Sequence, residues 1–134
     1  MYLTDTNIVS ELMRPRPEAG VLKWKDRVEE SASPLVVSAI TVDEIVFGLQ
    51  WRPHAAKTDW FGRFLQRVTV LPVTENIARR AGEMRAQLAL VGQVRQQADM
   101  LIAATAQVHA LTLVTRNVRD FDGCAIAVLN PFTP

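Results

Sequence analysis

The sequence predicts an α/β fold, a parallel β-sheet flanked by helices. Short β-branched runs alternate with helical apolar periods from one end of the chain to the other, the pattern of strands joined through crossover helices. No repeat, low-complexity tract or linker interrupts that alternation, and 134 residues at 49% hydrophobic suffice to bury one continuous core. The expectation is therefore a single domain over residues 1–134.

The first strand is Tyr2-Leu3-Thr4. Ile8, Val9, Leu12 and Met13 follow at helical spacing until Pro15 and Pro17 stop the helix. A second helix is predicted from about Glu18 to Glu29. Ser-Ala-Ser-Pro then breaks the chain before a buried strand, Leu35-Val36-Val37, and Val42, Ile45, Val46 and Leu49 give the next helical stripe. Trp51-Arg52-Pro53-His54 reads as a turn. Trp60, Phe61, Phe64 and Leu65 mark an amphipathic helix whose aromatic face is more often core than dimer surface, and a strand follows over Val68 to Val73. Ile77, Ala81, Met84 and Leu88 mark a helix broken at Gly92, and Met100, Ala103, Ala104 and Val108 mark another. Leu111 to Val114 and Ala125 to Leu129 close the sheet.

Composition excludes several classes. Cys124 is the only cysteine, so no internal disulfide forms, and His54 and His109 fall in no zinc-ligand spacing. The polar opening MYLTDTN lacks the apolar run of a signal peptide, and no apolar stretch is long enough to span a bilayer, which points to the cytoplasm. There is no GxxxxGK[ST], GxGxxG or GxSxG, and His109 near a helix end reads as a structural histidine. A net charge of +1 carries no nucleic-acid signature, although 12 Arg against 3 Lys tilts the basic set toward phosphate or carboxylate partners.

In an open parallel sheet, functional groups collect beyond the carboxyl ends of the strands. Asp5 closes the first strand, Glu44 sits in the first turn of the helix after the second, Asn117 and Asp120 follow Leu113-Val114-Thr115, and Asp99 opens the preceding helix. Each has a local explanation. Asp5 can cap a helix, Thr41 and Glu44 can form a capping box, Asp99 suits a helix N-terminus, and Asn117 with Asp120 can cap a short turn. Together they mean more, because clustered carboxylates repel unless a cation sits among them, and oxygen-rich clusters attract hard divalent metals. Such a metal suffices for phosphodiester hydrolysis without a Ser, His or Cys nucleophile.

These segments resemble the PIN domains, and within them the VapC and FitB type of toxin. Tyr2-Leu3-Thr4-Asp5-Thr6-Asn7, with Ser10-Glu11-Leu12 behind it, is similar to the family's strand ending in DTN. Glu44 to Gly48 is similar to its ExxxG helix, Asp99 to Ala106 to its DxxIAATA helix, and Thr115 to Phe121 to its TRNxxDF segment, and the ending Asn130-Pro131-Phe132 also fits. The resemblance covers nearly the whole chain in order. It implies an α/β/α sandwich with an acidic pocket binding Mg²⁺ or Mn²⁺, an endoribonuclease acting on RNA, and inhibition by a cognate antitoxin, usually a small DNA-binding protein. Carried over, Asp5, Glu44 and Asp99 match the three acids of the motif and are the expected metal ligands. Where several members have a fourth acid this chain has Asn117, so either Asp120 takes that role or Asn117 orients a water. Thr6, Asn7 and Thr115 are expected to support the site by hydrogen bonds, and turn or cap roles account for them equally well.

The resemblance also implies a homodimer, for which Trp24, Trp51 and Trp60 offer apolar surface. Two other readings compete. The chain could be the partner-binding subunit of a DNA-binding regulatory complex with incidental nuclease activity, in which case the acids are dispensable for binding. It could also be a phosphotransfer receiver of flavodoxin-like shape, which requires a late lysine, and Lys23, Lys25 and Lys57 all fall early.

Overall fold

The computed structural model describes residues 1–134. Five parallel strands form one sheet in the order β3-β2-β1-β4-β5, with β1 Tyr2–Thr4, β2 Leu35–Ser38, β3 Thr69–Leu71, β4 Thr112–Val114 and β5 Val128–Leu129. Six α-helices cross over between them: α1 Thr6–Leu12, α2 Ala19–Glu30, α3 Ala39–Trp51, α4 Ala55–Arg67, α5 Glu75–Leu90 and α6 Gln97–Val108. A 3₁₀ turn, Val118–Phe121, separates β4 from β5.

Strand register explains the layering. Leu3 stands opposite Val36 on one neighbour and Leu113 on the other, and because side chains alternate along a strand, all three face the same way. They pack with Ile77, Met84 and Met100 of α5 and α6 in the largest core cluster. The residues of opposite parity, Leu35, Val37 and Val114, meet helices α1 to α4 in two clusters on the other face. Helices on both faces of a parallel sheet make the expected α/β/α sandwich.

Several local expectations change. The strand expected over Val68 to Val73 shortens to Thr69–Leu71 at the exposed edge of the sheet. The last strand keeps only Val128–Leu129 of its expected Ala125 to Leu129, because Ala125 lies in the left-handed region at φ 56°, where no strand continues. Val46 and Val108, expected in core stripes, are exposed. Phe61 and Phe64 are buried with Trp60 stacked on Phe64, so the aromatic stripe of α4 is core. Of the three tryptophans expected to offer dimer surface, Trp24 lies in the core at 2% exposure and Trp51 alone is widely exposed, at 72%.

The start of α3 bears on function. A capping box would begin the helix at Thr41, but the Ser38 hydroxyl accepts the Ile40 N–H at 3.0 Å and the helix begins at Ala39. Glu44 therefore lies in the second turn rather than the first, where reaching back to a cap is not its task. Thr41 is fully buried.

Candidate active site

The strand order turns around β1: the chain passes to β2 and β3 on one side and to β4 and β5 on the other. A crevice opens at the carboxyl ends of β1 and β4, where the crossovers diverge. Because Thr4 pairs with Val114, the next residue on each strand, Asp5 and Thr115, stand side by side beyond the last rung. The Asp5 N–H donates to the Val114 carbonyl at 2.9 Å and extends the ladder one step.

A dense hydrogen-bond network follows from that juxtaposition. Asp5 Oδ1 accepts the Thr6 N–H at 2.8 Å, so Asp5 does cap α1. Its Oδ2 accepts from the Thr115 hydroxyl at 2.7 Å and from Asn7 Nδ2 at 3.0 Å. Asn7 in turn accepts the Arg116 N–H at 3.1 Å, and Thr115 Oγ1 accepts the Asn117 N–H at 3.1 Å. Thr6, Asn7 and Thr115 thus each donate a hydrogen bond to a carboxylate of the cluster. The expected side-chain cap from Asn117 is not formed; the backbone Asp120 N–H donates to the Asn117 carbonyl instead.

Three more carboxylates face Asp5. The Glu44 side chain leaves α3 toward α1 and accepts from the Thr6 hydroxyl at 2.6 Å, while Thr6 Oγ1 lies 3.1 Å from the Thr41 hydroxyl. Asp99 projects from the first turn of α6 and Asp120 from the 3₁₀ turn. Arg95 links those two segments, donating to the carbonyls of Arg119 at 2.7 Å and Asp122 at 3.3 Å. Asp5, Thr6, Asn7, Glu44, Asp99, Asn117 and Asp120 line one cavity of about 680 Å³, in which Phe121 is the only hydrophobic wall. Thr115 lies buried beneath it.

The electrostatics follow from that crowding. Burial pushes the Asp99 carboxyl up to about 6, with the Asp5, Asp120 and Glu44 charges adding to the shift and Arg95 opposing it. Asp5 is also raised, chiefly by burial, against the hydrogen bonds from Thr115, Thr6 and Asn7 that favour its charged form. Bringing these acids together is therefore unfavourable on its own, and a cation among them would relieve it. No three of them converge tightly enough to form a ready-made cation cage.

The cavity also holds residues that the order of the motifs did not reveal. Arg14 lines it but is engaged with Glu11 at 3.1 Å, and Glu11 further accepts the Glu18 N–H at 2.9 Å. Lys57, set aside with the other early lysines, reaches the cavity from the first turn of α4. A positive side chain there opposes the helix dipole, and that was the one sequence signal available for it. His109 caps the end of α6, is exposed and does not line the cavity.

Comparison with known proteins agrees with the geometry. The family model for the PIN domain matches residues 2–125. The chain belongs to the PIN domain family. It is similar to VapC ribonuclease Y4jK of Sinorhizobium fredii, with 34% identity over the whole of this chain and 99% of that protein. Among solved structures it resembles FitAcB from Neisseria gonorrhoeae, with a TM-score of 0.81 and 33% identity, covering 98% of each chain. It also resembles a toxin-antitoxin complex from Klebsiella pneumoniae, with a TM-score of 0.75 and 29% identity over the full length of both chains. No helix of this PIN domain is long and apolar enough to cross a membrane.

Proposed function

We propose that this chain is the ribonuclease toxin of a type II toxin-antitoxin pair, a divalent-metal-dependent endoribonuclease held in check by a cognate antitoxin. Membership of the PIN family and relatives named as ribonucleases and toxin-antitoxin components support the activity and the partner. The observation that carries the site is the meeting of Asp5, Glu44, Asp99 and Asp120, from four separate segments, in one polar cavity at the switch point of the sheet. The reading treats residues 1–134 as one PIN domain, since β5, beyond the family match, pairs with β4 and the Thr133 N–H donates to Glu18 at 3.1 Å. Acting on cellular RNA places the protein in the cytoplasm, where the lone buried Cys124 stays reduced.

Asp5 and Asp99 are the principal ligands in this reading, with Glu44 assisting. Held there, Mg²⁺ or Mn²⁺ would supply Lewis-acid polarisation of a phosphoryl oxygen and neutralise developing charge. The chain's own groups do the positioning. Thr115 and Asn7 hold Asp5 Oδ2, the Thr6 N–H holds Oδ1, and the Thr6 hydroxyl orients Glu44. Asp120 and Asn117 also line the cavity, where Asn117 can orient a water for attack on phosphorus and the Asp120 carboxylate can take its proton as the P–O bond to the leaving oxygen breaks.

The test is incubation of the purified chain with short structured RNAs, with and without Mn²⁺, beside Asp5→Asn. Cleavage should require the metal and fall by on the order of a hundred-fold or more in the variant. Equal cleavage by both proteins overturns the proposal.

A further inference from the structure

We infer that the groove between α1, α3 and α4, continuous with the acidic cavity, is the subsite for the RNA nucleoside next to the scissile phosphate, with Lys57 as the phosphate contact. The inference rests on the ribonuclease reading above and adds to it where the substrate lies and which cation meets it.

The groove has a volume of about 400 Å³, within the range of small-ligand sites. It shares Thr6, Ser10, Glu44 and Lys57 with the acidic cavity, so a chain bound in one runs directly into the other. Its floor is Met13, Ile45 and Leu49, apolar enough to receive the face of a base, and Arg52 and His54 stand at its edge. An apolar floor beside cationic side chains matches a nucleotide, a flat π-system attached to an anion.

Lys57 stands where the two spaces join. The other cation of the acidic cavity, Arg14, is neutralised by Glu11, whereas Lys57 takes part in none of the chain's ion pairs. It is half-buried in the first turn of α4, and its N–H is held by His54 Nδ1 at 3.2 Å. Its ammonium has no carboxylate within ion-pair distance although acids line the same cavity, and an incoming phosphate would supply a direct partner. Gly48 offers a way to block the groove. It lies in the interior of α3 and lines the groove, and a Cβ built on it meets nothing within 4 Å. The fold does not require a glycine there, and a larger side chain would project into the space that the base would occupy.

The experiment measures cleavage of a fluorescent single-stranded RNA oligonucleotide by wild type, Lys57→Gln, Lys57→Arg, Gly48→Leu and the distant control Lys23→Gln across a salt series. Lys57→Gln should raise KM on the order of ten-fold and lower the slope of log(kcat/KM) against log[salt] by about 1, as loss of one phosphate contact does. Lys57→Arg should restore the slope, and Lys23→Gln should leave both quantities alone. Gly48→Leu should raise KM while melting no lower than wild type, because leucine is the better helix former; groove blockage, unlike misfolding, predicts that pairing. An unchanged slope in Lys57→Gln, or an unchanged KM in Gly48→Leu, overturns the assignment. So does a result in which these variants lose affinity for an antitoxin protein yet cleave RNA as wild type does, which gives the groove to the partner instead. Failure of wild type itself to cleave RNA refutes the ribonuclease reading, a separate outcome.

Discussion

The floor and the rim of the cavity hold their carboxylates in opposite ways. On the floor, Asp5 is buried at the junction of β1 and β4 and accepts three hydrogen bonds from Thr6, Asn7 and Thr115. On the rim, Asp99 and Asp120 come from the start of α6 and an exposed 3₁₀ turn, and what acts on Asp99 is burial and neighbouring negative charge rather than donated hydrogen bonds. Satisfied groups rigidify a site, while groups left short of partners are available to something that arrives from solvent. The difference is that of a carboxylate fixed by donors against carboxylates that keep unmet bonding capacity.

Breaking the floor should have the largest effect on the fold. Thr115→Val keeps the shape of a fully buried residue and removes the hydroxyl that joins Asp5, Asn7 and the Asn117 N–H. Leaving those groups short of a partner should cost about 1–3 kcal/mol, read as a lower urea midpoint at unchanged slope. The cost should be smaller at low pH, where a protonated Asp5 no longer needs the donor.

The rim should announce itself through pH. Asp99 has its folded-state pKa raised from an ordinary 3.8 to about 6, and Asp5 is shifted the same way. In that window the folded chain binds more protons than the unfolded one, so metal-free stability should fall as pH rises from about 4 to about 6 and level off above. Asp99→Asn should flatten the fall, and Mn²⁺ added near neutral pH should recover the stability through mass action. A metal-free profile that rises across that window would contradict the crowding.

The smallest effect expected is at the α3 cap. Ser38→Ala removes the acceptor of the Ile40 N–H, costing about 1 kcal/mol. Because that cap sets where α3 begins, the variant should also loosen Glu44 and lower nuclease activity modestly, whereas a cap with no bearing on the rim would change the urea midpoint alone.

Much of this was legible in the letters. Short β-branched runs marked β1, β2 and β4, strands covered by helices on both faces, and the stripe Ile77, Ala81, Met84 and Leu88 marked α5, because burial of one helix face forces that spacing. The acids were legible as residues following strands. Edge elements were not: β3 and β5 are short and little buried, so no apolar pattern fixed their ends. Thr41 followed by Glu44 resembled a capping box, and only the Ser38 cap one turn earlier reassigns Glu44 to Thr6.

By itself the sequence determined the alternation of strand and helix, the family, and which acidic side chains were available, since periodicity and motif spacing are properties of neighbours along the chain. Tertiary structure alone decided that Thr4 pairs with Val114 and so sets Asp5 against Thr115, that Glu44 bonds Thr6 rather than its own helix end, and that Lys57 enters the cavity. Those outcomes depend on strand register and helix packing between segments up to 110 residues apart, and no local preference encodes which distant groups a buried carboxylate will meet.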